Sequence, residues 1–178
     1  MLTQTKVLPR VLSFSQVKYY IFSSVFTLLA VFVPWFFHQF NLLGPQFLPM
    51  QIFVLIAGFL FGWRTGLLVG LISPLMSYSL MKMPAMAILP QVILELAVYG
   101  LIIGILREKN FNIWIALIFS MVLGRAARIL YILVFASQMK ALDFIKISLP
   151  GIILQAILIP LAVYFIQKLL EMKNGEEI

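Results

Sequence analysis

The chain has 178 residues, of which 63% are hydrophobic and only 11% charged, with a formal net charge of +7. A soluble domain is about 45–50% apolar and about 25% charged, so the polar residues are too few to coat a water-soluble globule; a soluble enzyme and a disordered tail are both argued against. The mean hydropathy of +1.08 points to a multi-pass membrane protein, with room for roughly five to seven helices of about 20 residues and no extramembrane domain.

Cysteine is absent, which excludes disulfides, thiolate catalysis and Cys-ligated metal. A single histidine, His38, argues against an all-protein zinc site. The N-terminal stretch before the first apolar run is mixed and carries Lys6, Arg10 and Lys18. No small-residue cleavage site follows that run, so a secretory signal peptide does not fit.

The first apolar run is Tyr19 to Phe37, and the second, Leu48 to Gly62, is short. The third runs from about Thr65 to Leu80 and the fourth from Ala85 to Leu106. The fifth spans Ile113 to Phe135 and the sixth Ser148 to Leu170. Backbone polar groups must be satisfied inside lipid, so each run is read as a helix. The expected fold is an all-α integral membrane protein of six transmembrane helices. It forms one domain, 1–178, with 1–18 and 171–178 as cytoplasmic end segments. Pro74, Pro90 and Pro160 fall inside the third, fourth and sixth runs and are expected to kink them. Gly58, Gly62, Gly66 and Gly70 recur every four residues, and Gly100 and Gly104 repeat the spacing. Small residues so placed let helices approach closely, within the chain or against a partner.

Six helices bring both termini to one side. Lys6, Arg10, Lys18, Arg64, Arg107, Lys109, Lys168 and Lys173 fall on that side, and Lys82, Lys140 and Lys146 on the other. Basic residues mark the cytoplasmic face; eight against three puts both termini in the cytoplasm. This reading also accounts for the positive charge without nucleic acid. Trp63, Trp114, Tyr19 and Tyr20 then lie near the inner interface and Trp35 near the outer one.

Ionisable residues inside a membrane segment are candidates for function by default. Glu95 lies in the fourth segment, and Arg125 and Arg128 lie in the fifth, three residues apart on one face. Tyr131 extends that face outward, and Gln91 is one turn from Glu95. Gln51, Ser77, Tyr78 and Gln155 fall in the outer halves of the second, third and sixth segments. Polar groups from five segments thus converge on the outer half. Two uses are open for them. Glu95 can pair with Arg125 to hold two helices in register, with the glutamines as interhelical links. Alternatively the set binds a ligand: one carboxylate cannot neutralise two arginines, so Glu95 pairs with Arg125 and Arg128 meets an anionic group of the ligand, or reaches the outer headgroups. His38 is expected in a solvated outer loop, or in an aromatic lid with Trp35, Phe36 and Phe37. Lys140, Asp143 and Lys146 are expected on a solvated loop. No paired carboxylates, nucleophile–His–acid set or phosphate-binding Gly-rich loop with a lysine is present. The chain is read as a non-enzyme with no cofactor and no metal.

The segment Gly44-Pro45-Gln46-Phe47-Leu48-Pro49-Met50-Gln51-Ile52-Phe53-Val54-Leu55-Ile56-Ala57-Gly58 resembles the loop and second helix of the substrate-binding S components of energy-coupling factor (ECF) vitamin transporters. Gly66 to Leu75 with Met83-Pro84, Glu95 to Leu101, and Met121 to Arg125 are similar to the later helices of that family. The resemblance implies a substrate-binding subunit of an ATP-driven importer. Such a subunit would capture a water-soluble vitamin or related micronutrient, of pantothenate or pyridoxine type, from the outer face. It implies a prokaryotic plasma membrane, a transmembrane T component and two cytoplasmic ATPase subunits that alone hydrolyse ATP. Gln51, Ser77, Tyr78, Gln91, Glu95, Arg125, Arg128, Tyr131 and Gln155 would then line the site. Ser23 and Thr27, with Ala30 a turn further on, would form the docking face toward the T component. The competing reading is a membrane scaffold of a cell-shape or cell-wall complex.

Overall fold

The structure, a computed structural model, describes residues 17–39, 49–135 and 141–175. Six helices follow in chain order: α1 Val17–Gln39, α2 Pro49–Phe61, α3 Trp63–Met81, α4 Leu89–Glu108, α5 Ile113–Phe135 and α6 Ala141–Gly175. No strand occurs among the described residues. Three stretches, Val17–Phe37, Leu89–Glu108 and Ile113–Phe135, are long and apolar enough to cross a membrane. Met50–Phe61 and Pro150–Ile166 are shorter apolar helical stretches.

The ends of two helices differ from expectation. α4 starts at Leu89 rather than Ala85, which places Pro90 in its first turn. A proline there removes no helical hydrogen bond, so the expected kink has no cause. α6 starts at Ala141, seven residues before the expected Ser148. Its first turn contains Asp143, an acidic residue where the helix dipole favours one. Lys146 and Asp143 therefore belong to a helix rather than to a loop. His38 and the side chains of residues 141–149 lie outside the described side chains, and residues 40–48 and 136–140, with Gly44 to Leu48 and Lys140, lie outside the described residues.

The glycine stripe is used up inside the chain. A methyl group added at Gly100 would strike the Gly66 carbonyl, and one at Gly66 would lie 2.7 Å from the Gly58 Cα. A methyl at Gly58 would in turn lie 2.8 Å from the Gly100 carbonyl oxygen. The backbones of α2, α3 and α4 therefore meet with no side chain between them. Further along, Gly70 fits against the Leu96 carbonyl and Gly104 against the backbone of Trp63. These contacts fix direction: Gly66 faces Gly100 and Gly70 faces Leu96, so α3 runs antiparallel to α4.

A single residue, Gly62, joins α2 to α3. Its φ of 95° lies in a region that side-chain-bearing residues avoid. Gly58 and Gly66, four residues to either side, pack on one another, so α2 and α3 form a hairpin with a one-residue corner. α2 is apolar all round because it is enclosed all round: Val54, Leu55, Ala57 and Leu60 are buried among α1, α3, α4 and α6. α1 closes this group. Its Phe22 stacks on Phe61 with ring centroids 4.4 Å apart, and its Tyr19, Ser23, Thr27 and Ala30 are buried. The small face expected to dock a partner is thus covered by the chain's own helices.

Candidate functional site: a polar layer across four helices

Glu95 sits at the centre of the polar groups and is fully buried. Its Oε2 lies 2.7 Å from Arg128 Nη1, and its Oε1 lies 3.2 Å from Arg125 Nη1. Arg128 also donates from Nε to Gln91 Oε1 at 3.3 Å. One carboxylate therefore bridges two guanidinium groups, three residues apart on α5. The reading that reserved Glu95 for Arg125 alone needs correction: Glu95 pairs with both arginines, and Arg128 makes the shorter contact. Both arginines are buried. A bare charge in such a place is very unfavourable, and a charge-assisted hydrogen bond is what makes it tolerable.

Tyr99 completes the set and was not anticipated there. Its hydroxyl donates to Glu95 Oε1 at 2.8 Å, and its ring is fully buried. A methyl added at Gly124 would strike that ring, so the glycine on α5 makes room for the tyrosine on α4. The signal was available, because Glu95 and Tyr99 are four residues apart and share a helix face.

A second polar link joins α2 to α6. Gln155 Nε2 donates to Gln51 Oε1 at 3.0 Å, and both residues are buried. Its depth follows from helix register. α3 runs against both neighbours, so α2 and α4 run the same way, with Gly58 facing Gly100. Seven residues toward each N-terminus, about 10 Å at about 1.5 Å per residue, sets Gln51 level with Ile93. That is the level of Gln91 and Glu95. Residues from α2, α4, α5 and α6 thus lie in one layer across the bundle. Removing one glutamine of the pair leaves a buried amide without its partner, at about 1–3 kcal/mol. Gln51→Leu and Gln155→Leu are each expected to destabilise by that amount. The double variant should be less destabilised than the sum of the two, which denaturation of all three proteins in one detergent would read; strict additivity would mean that the link contributes nothing.

The remaining expected site residues are placed as follows. Ser77 is buried on α3, level with the start of α4 by the Gly70–Leu96 register. Tyr78 is half-buried and lies beneath Lys82, whose Nζ is 5.3 Å from the ring centroid. Tyr131 is half-buried and packs on Phe135 with centroids 5.0 Å apart. Among the described residues no three metal-ligating side chains group together.

The fold and this layer define a class: a multi-pass helical membrane protein with a buried ionic seam between two of its helices. Residues 8–169 match the family model 5TM-5TMR_LYT, described as the 5TMR of 5TMR-LYT, and the chain belongs to that family. No curated protein and no solved structure matches it. The match overturns the resemblance to ECF S components, because the family is a five-transmembrane one of a different kind. The reading as a vitamin-capturing subunit of an ECF importer falls with it, and the cell-shape scaffold is not supported either. The cause of the misreading is physical. The matching segments were glycine- and proline-punctuated apolar helices. The Gly58, Gly66 and Gly100 contacts show why such punctuation is there: it answers close helix packing, a demand shared by unrelated membrane bundles.

Proposed function

We propose that the chain is a membrane-embedded sensor module whose signal is received at the polar layer of Gln51, Gln91, Glu95, Tyr99, Arg125, Arg128 and Gln155. The sensor-type character of the 5TMR-LYT family supports the sensory half of this reading. One observation carries the other half: a fully buried carboxylate bridging two arginines at the seam of α4 and α5. Charged groups are retained inside a membrane mainly where they act. Two guanidinium groups to one carboxylate, among the described residues, suit a ligand with an acidic group. Ser77, Tyr78 and Tyr131 lie on α3 and α5 toward the level of the start of α4 and are its candidate flanking contacts. The basic asymmetry supports an orientation in which the end carrying Lys18, Arg64, Arg107 and Lys109 faces the cytoplasm. Crossing by all six helices, one more than the five of the family's description, would return both termini to that side.

The test is a thermal-shift screen of the purified chain in lipid nanodiscs, using small organic acids and their neutral amides. A ligand present at 100 times its dissociation constant stabilises by about 2.7 kcal/mol. At least one acid should do so, its amide should not, and Arg128→Gln should remove the effect. No stabilisation by any compound, or equal stabilisation of Arg128→Gln, would sink the proposal.

A further inference from the structure

At the opposite end of the bundle from the polar layer, three helices bring basic and aromatic residues together. The α2–α3 corner is held there by α4. The backbone N–H of Trp63, the first residue of α3, donates to Glu108 Oε1 at 3.3 Å. Gly104 lets the α4 backbone reach Trp63 directly. The start of α1 arrives at the same place, since the Tyr19 hydroxyl donates to the Arg64 carbonyl at 3.4 Å. Lys18 of α1, Arg64 of α3, and Arg107 and Lys109 at the end of α4 therefore gather at one end. Glu108 is the only acidic side chain among the described residues of these stretches. The Arg64 guanidinium lies over the Trp63 ring, 5.1 Å from its centroid. Lys18, Lys109, Tyr20, Phe111 and Trp114 are exposed at the same end.

We infer that this end is a binding surface for anionic phospholipid headgroups. The chemistry of both partners agrees. Amphipathic rings such as Tyr20 and Trp114 settle at the headgroup level. Among the described residues, four cations around one carboxylate leave an excess positive charge where lipid phosphates would sit. A juxtamembrane Lys or Arg favours an anionic leaflet by about fivefold each. The surface is separate from the polar layer and does not depend on the sensory reading.

The intact chain, reconstituted in nanodiscs of phosphatidylcholine with a minor fraction of phosphatidylglycerol, provides the test. Retained phosphatidylglycerol is counted by native mass spectrometry. The variant is Lys18→Gln/Lys109→Gln, two exposed positions where folding is not at stake, and the control is Lys82→Gln at the far end of α3. The wild type and Lys82→Gln should enrich phosphatidylglycerol equally, and the double variant should lose enrichment by about thirtyfold. Inorganic phosphate in the millimolar range should not displace the lipid. Equal enrichment by the double variant overturns the inference, as does displacement by phosphate, which would mean an ion site rather than a lipid surface.

Discussion

Replacing Glu95 with leucine is expected to destabilise the protein by about 3–5 kcal/mol, the largest effect of any side-chain truncation in the polar layer. The change strands two buried guanidinium groups that now share one carboxylate. It also removes the acceptor of the Tyr99 hydroxyl. The informative companion is the triple variant Glu95→Leu/Arg125→Met/Arg128→Met. Removing the whole charge set and filling its volume is often neutral, and can stabilise by about 1–4 kcal/mol. Denaturation in one detergent should therefore place the triple variant close to the wild type and the single variant far below. If the triple variant is as unstable as the single one, the charges hold the helices together. If it is stable but answers no ligand, they are retained for function.

The second large effect belongs to the backbone. Gly100→Leu is expected to yield little or no folded protein, since even a methyl group there strikes the Gly66 carbonyl. Overpacking a core usually costs about 1–3 kcal/mol because neighbouring side chains give way. Here the obstacle is backbone held on both sides, so a value of 3 kcal/mol or more is expected. Ala126→Leu is the control, an exposed position on α5, where a change within about 0.5 kcal/mol is expected. Recovery of monodisperse protein after purification separates the two. Normal recovery of Gly100→Leu would mean that α3 and α4 do not approach as closely as described.

Much of the architecture was legible in the residues. The six apolar runs became six helices, and the fifth run matched α5 end to end. Apolar length is a direct physical requirement of a bilayer, so it survives without knowledge of packing. Helix ends were harder to read. Nothing in hydropathy separates Asp143 and Lys146 as a polar loop from the polar first turns of a helix. The convergence of Gln51, Gln91, Glu95, Arg125, Arg128 and Gln155 was legible because level in a bundle follows from position along each helix. Their pairing was not, because rotation of each helix about its axis is set by contacts such as Gly124 with Tyr99. The family was misread because glycine- and proline-punctuated apolar helices are common to unrelated membrane bundles. Burial of Ser23, Thr27 and Ala30 shows the same lesson: a small-residue face states that something packs closely, not what.

The one-residue corner at Gly62 has a mechanical consequence. Helix connections in bundles usually run about 2–8 residues and have slack to spare. Here relative motion of α2 and α3 is confined to the few dihedral angles around one glycine, whose positive φ is itself a narrow choice. The interlocked glycines bind α4 to the same pair. These three helices are therefore interlocked into a single frame. The α4–α5 boundary has a close approach of its own at Gly124, beside the Tyr99 ring and the Glu95 carbonyl, but it also carries the Glu95 bridges, and side chains can exchange partners where touching backbones cannot. On the sensory reading proposed above, a ligand at the layer would therefore move α5 against this frame rather than disturb the frame itself.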